Sequence, residues 1–143
     1  MKSARQLGTL VTALALTLAA CIPVSVPGLR HIDGQTWRSR FDVSVQVGPS
    51  VVNLPVDLAI TFQQNLQDIS ADATLEYDTG IFRLQTGSLV ELHGRLGFDD
   101  SLSLDSPAGT LSFTGQFVGD RLVGTVAIAG VVPVADVVFV RAR

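Results

Sequence analysis

The sequence predicts an all-β fold: an antiparallel up-and-down meander of eight or nine strands that closes into a small barrel, with a two-sheet β-sandwich as the alternative. Three observations predict it. From Gly34 onward apolar and polar residues alternate with the period of two that marks half-buried strands. Turn-forming residues interrupt that alternation roughly every eight to twelve positions, a spacing typical of all-β domains. No window of this region keeps the period of about 3.6 residues that an amphipathic helix requires.

In the first strand Trp37, Phe41, Val43, Val45 and Val47 share one phase, and Arg38, Arg40, Asp42, Ser44 and Gln46 share the other. After Gly48-Pro49-Ser50, a second strand sets Val56, Leu58, Ile60 and Phe62 against Asp57, Thr61 and Gln63. A third sets Ile69, Ala71, Ala73, Leu75 and Tyr77 against Ser70, Asp72, Thr74 and Glu76, and Asp78-Thr79-Gly80 turns it back. Phe82 and Leu84 mark a short fourth strand ended by Gly87-Ser88. The next row, Val90, Leu92, Gly94, Leu96 and Phe98, is apolar but for its glycine and lies opposite Glu91, His93 and Arg95. Leu102 and Leu104 mark a short strand between the turns Asp99-Asp100-Ser101 and Asp105 to Gly109.

Leu111, Phe113, Gly115 and Phe117 then alternate with Thr110, Ser112, Thr114 and Gln116. Gly119-Asp120 is a hairpin signal, and Leu122, Gly124, Val126 and Ile128 continue beyond it. The last run, Val134 to Val140, is apolar on both phases apart from Asp136. Short connections favour antiparallel neighbours. An open edge reading Val137-Val138-Phe139-Val140 would template pairing with another chain, so this strand is expected to close the sheet against the first strand, the one holding Phe41 to Val47. Trp37, Phe41, Leu58, Phe62, Leu92, Phe113 and Val126 are expected to meet in one interior. A lipid-facing barrel is disfavoured, since Trp37 and Tyr77 are the only aromatics of the membrane-interface type and the chain ends Arg141-Ala142-Arg143.

With 143 residues, 47% of them apolar and 16% charged, the chain is long enough for one ordinary core and too apolar for general disorder. The domains read as a signal peptide over 1–20, a tether over 21–33 and the barrel over 34–143. Met1 to Gln6 is short, polar and positive, and Leu7 to Ala20 is an apolar run of fourteen residues ending in small side chains. As a helix that run spans about 21 Å, short of the roughly 30 Å hydrocarbon core, so it reads as a cleaved signal helix and not a permanent anchor. Cleavage removes Lys2 and Arg5 from the 10 basic residues, leaving 8 against 13 acidic ones, about −5, with no lysine. That balance argues against nucleic acid as a partner. A single cysteine excludes an intrachain disulfide.

The segment Leu18-Ala19-Ala20-Cys21 resembles the lipobox of bacterial lipoprotein precursors. The resemblance covers residues 1–21 and implies cleavage between Ala20 and Cys21, with acyl chains on Cys21 as the membrane attachment. Two or three chains, at about 0.8 kcal/mol per buried methylene, make such attachment effectively permanent. Ile22 stands where an Asp would signal inner-membrane retention in enterobacterial members of the family, which leans the expected address toward the outer membrane of a diderm host. Residues 22–33 hold two prolines and a glycine without a period, so they read as an extended tether.

No catalytic constellation, cofactor motif or metal site is legible, and no enzymatic activity is expected. His93 lies between Glu91 and Arg95 on a polar phase and reads as part of a solvated charge cluster. Asp99, Asp100 and Asp105 lack the ligand spacing of a calcium loop and read as turn formers. Gly94, Gly115 and Gly124 each interrupt an apolar row, where glycine costs stability. They mark either a bend with a large side chain such as Trp37 packed over it, or a groove for a small apolar ligand. Two functional expectations follow. One is an envelope lipoprotein whose packed barrel has a structural role or meets an envelope protein. The other is a carrier that resembles small lipocalin- and avidin-type barrels in architecture only, with an apolar cavity.

Overall fold

The computed structural model describes residues 26–77 and 88–143. Eight strands, β1 (Thr36–Val47), β2 (Ser50–Asn65), β3 (Asp68–Tyr77), β4 (Ser88–Leu96), β5 (Ser101–Asp105), β6 (Leu111–Val118), β7 (Arg121–Ile128) and β8 (Val134–Arg141), run antiparallel in meander order and close into a barrel. The sandwich alternative is thereby excluded. The short strand expected around Phe82 and Leu84 lies outside the described residues, and β3 pairs directly with β4 from Asp68↔Arg95 to Leu75↔Ser88.

Alternation becomes an interior because an eight-strand barrel just accommodates its inward side chains. Trp37, Leu58, Phe62, Leu92, Phe113 and Val126 belong to one buried cluster, with Phe41 half-buried against it. Arg38, Arg40, Asp57, Glu91 and His93 take the opposite phase and face out. Three connections are two-residue hairpin loops, Gly48-Pro49, Leu66-Gln67 and Gly119-Asp120. Each has its first loop residue at positive φ, +59°, +56° and +61°.

Phe98 departs from expectation. Its apolar row ends at Leu96, because Gly97 starts the turn into β5, and Phe98 is 56% exposed there.

The closure is the one expected, the last strand pairing with the first. β8 pairs with β1 at Trp37↔Arg141 and Arg38↔Val140, near the start of β1. Within β8 the pairs Gly124↔Val137 and Val126↔Val134 set two residues, Ala135 and Asp136, against Thr125 alone of β7. The extra residue is accommodated as a bulge at Ala135-Asp136, with Asp136 at φ +56°. The bulge reverses the side-chain phase, so Val134 packs against the core before it and Val137 and Phe139 are buried after it. Val138 and Val140 take the outward phase and are exposed.

Candidate functional site: the strapped end of the barrel

The meander brings the β2–β3, β4–β5 and β6–β7 turns and the start of β1 to one end of the barrel. Hydrogen bonds stitch the turns into a continuous rim. Leu96 N–H donates to the Gln67 carbonyl at 2.8 Å, and Phe117 N–H donates to the Asp100 carbonyl at 2.9 Å. Gln116 Nε2 donates to the Asp99 carbonyl at 2.8 Å.

Across this rim lies the segment leading into β1, which was expected to be a free tether. From Leu29 onward it is a strap docked on the barrel. Ile32 is fully buried in the core cluster, and Leu29 packs against that cluster. Gln64 latches the strap to β2: its Oε1 accepts from Ile32 N–H at 2.8 Å, and its Nε2 donates to the carbonyls of Arg30 at 2.9 Å and Leu66 at 3.0 Å. Gln64 N–H in turn donates to Asp33 Oδ1 at 2.8 Å. Every polar atom of the Gln64 amide group that faces the strap is used, so backbone groups at the barrel mouth are paired instead of orphaned.

On the opposite side of the mouth, Arg30 reaches two further turns. It pairs with Asp100 at 3.2 Å and donates to the Gly119 carbonyl at 3.1 Å, while its guanidinium carbon sits 4.9 Å from the Phe117 ring centroid. Phe117 meets Trp37 edge to face at 5.2 Å, and Trp37 Nε1 donates to Gln35 Oε1 at 3.1 Å. The strap is thus held by apolar burial, an amide latch and a cation–π contact at once. In the β4–β5 turn, hydrogen bonds from the Ser101 hydroxyl at 2.6 Å and backbone N–H at 3.1 Å hold the Asp99 carboxyl below its usual range.

The glycines singled out in the sequence fall in two places. Gly115 and Gly124 are direct cross-strand partners on β6 and β7. The Phe113 ring lies over them, and a Cβ at Gly124 would sit 2.8 Å from its Cζ. Phe113, not Trp37, therefore fills the gap, and it meets Phe139 edge to face at 5.4 Å. Gly94 pairs with Leu104 of β5, and a Cβ there would overlap the Ser103 carbonyl, so glycine serves close backbone approach. Trp37 stands at the strapped end against Phe117.

Of the remaining candidates, His93 is exposed and pairs with Glu91 at 3.0 Å. Asp99 and Asp100 occupy the β4–β5 turn and Asp105 ends β5. Among the described residues no three His, Cys, Asp or Glu side chains are grouped to hold a metal ion. Among the described residues no helix is long and apolar enough to cross a membrane. Ala20 and Cys21 lie outside the described residues. Sequence reasoning missed Ile32 and Gln64; the only signal was an isolated apolar residue between His31 and Asp33. No family model, curated protein or solved structure matches the chain.

Proposed function

We propose that the protein is an exported bacterial lipoprotein, held in the cell envelope by acyl chains on Cys21, whose packed barrel serves a structural or interaction role toward an envelope partner. The observation that carries the reading is the coincidence of a positive start, a short apolar run and Leu18-Ala19-Ala20-Cys21. Ile22 directs the proposed address to the outer membrane where the host has one. The packed form, over the carrier for a small apolar ligand, is supported by the Phe113 ring lying in the gap that Gly115 and Gly124 leave. The run of large buried side chains from every strand supports it as well.

Replacing Cys21 with Ala and following palmitate incorporation with detergent partitioning tests the anchor. Label should vanish and the protein should leave the detergent phase; unchanged labelling overturns the reading. An environment-sensitive apolar dye tests the packing, since a hollow barrel would take it up and brighten it while a filled one would not.

A further inference from the structure

The strapped end of the barrel exposes an apolar side chain at or beside each of its three turns, Leu66 at 49%, Phe98 at 56% and Val118 at 61%. The opposite end exposes Val47, Val51, Leu89 and Val132, so the anchor's position and not exposure alone selects the end. Turns ordinarily carry polar residues or glycine there. Leu66 stands at the first position of its two-residue loop with φ +56°, a conformation that costs a branched side chain energy and favours glycine. An apolar residue that is both strained and exposed has no packing reason to be there.

The course of the chain says what meets this rim. The strap ends beside Phe98, whose ring lies 4.0 Å from where a Cβ at Gly28 would be. Five peptide steps separate Val26 from Cys21, a reach of at most about 18 Å even fully extended. An acyl anchor on Cys21 therefore keeps this end, and not the opposite one, at the lipid surface. The turns and strand ends at this rim carry charges of both signs, Asp99, Asp100 and Asp120 as well as Arg30, Arg121 and Arg141, so the contact does not depend on anionic lipid.

We infer that Leu66, Phe98 and Val118 form an interfacial foot that seats in the lipid headgroup region and stands the barrel with its strapped end against the bilayer. The inference rests on the lipoprotein reading for its anchor, but the foot has its own test. Side chains of this kind enter roughly the outer 5–10 Å of a membrane interface, enough to fix orientation without spanning.

The test couples the chain beginning at Cys21, through its only thiol, to maleimide-phosphatidylethanolamine in phosphatidylcholine vesicles containing brominated acyl chains. Phe98→Trp and Val51→Trp are compared, Val51 being 67% exposed at the opposite end, with wild type setting the baseline from its buried Trp37. Phe98→Trp should shift to the blue and lose emission to the brominated lipid, with Val118→Trp behaving alike, while Val51→Trp stays at baseline. Raising the salt should change nothing. Equal quenching at both ends, quenching at neither, quenching at Val51 alone, or quenching abolished by salt overturns the foot. Because the coupling is chemical, absent palmitate labelling in cells fells only the lipoprotein reading, and absent quenching in coupled protein fells only the foot.

Discussion

The Ser39 hydroxyl donates to the Val138 carbonyl at 2.7 Å, carrying the contact between β1 and β8 beyond their short backbone ladder at Trp37 and Arg38. Ser39 is nearly buried, so its loss takes the hydroxyl donor from a backbone acceptor in a part-buried seam. Ser39→Ala should cost about 1–3 kcal/mol and speed hydrogen exchange at the β8 amides before those of β2 and β3. Unchanged thermal unfolding would show that the seam does not depend on this bond.

The glycine pair on β6 and β7 gives a sharper expectation. A Cβ at Gly115 would overlap the Val123 carbonyl as well as the Phe113 ring, and would come within 2.9 Å of the Gly124 Cα. Gly115→Ala should destabilise by about 1–3 kcal/mol. Truncating Phe113 to Ala should cost about 3–5 kcal/mol by itself and should not rescue Gly115→Ala, because the backbone conflict remains. A double variant as stable as Phe113→Ala alone would assign the conflict to the ring, a result that urea unfolding resolves.

At the strapped end, Ile32→Ala removes a fully buried side chain and should cost about 2–5 kcal/mol. Gln64→Ala unpairs Ile32 N–H and the Arg30 carbonyl and should cost about 1–3 kcal/mol. Limited proteolysis should then cut the strap near Arg30 in both variants while the barrel survives. Resistance equal to wild type would mean the strap is held by Arg30 instead.

Asp99 provides a pH test. Hydrogen bonds from the Ser101 hydroxyl and then its N–H stabilise the carboxylate, so its folded value lies below the ordinary 3.8. A depressed acid contributes stability above its ordinary value and loses it as pH falls through the folded value. Ser101→Ala should raise the Asp99 value in an NMR titration and move acid unfolding to higher pH. Asp99 titrating at its ordinary value in the wild type would contradict the hydrogen-bonded turn.

Deleting residues 137–143 removes buried Val137 and Phe139 and uncovers the edges of β1 and β7 together. The truncated chain should aggregate, with Trp37 emission shifted to the red. A monomer with unshifted emission would make β8 dispensable.

Particular residues show why parts of this molecule were legible in its sequence. Val56, Leu58, Ile60 and Phe62 against Asp57, Thr61 and Gln63 announce β2 because every second side chain meets the core. That same rule misplaced Phe98, since alternation can continue on paper past the residue where the chain turns. Ile32 had no period to betray it, and Gln64 matters only through a strap that folds back from more than thirty residues away in sequence. The Asp136 bulge was hidden, since one extra residue changes phase without changing composition. Of the candidate site, Gly115 and Gly124 were visible as anomalies, but that they oppose each other under Phe113 required the hairpin register.

The Ser39–Val138 seam has a kinetic consequence. Seven of the eight neighbour relations join consecutive strands, whereas this one joins residues 99 apart. Its loop-closure entropy is the largest in the domain, and seam contacts reward the chain only after the hairpins have shortened the effective loop. Closure is therefore expected to follow the transition state. Substitutions at the seam should leave the refolding limb of a chevron nearly unmoved and raise the unfolding limb at unchanged slope, so that Ser39 governs how long the barrel lasts more than how fast it forms.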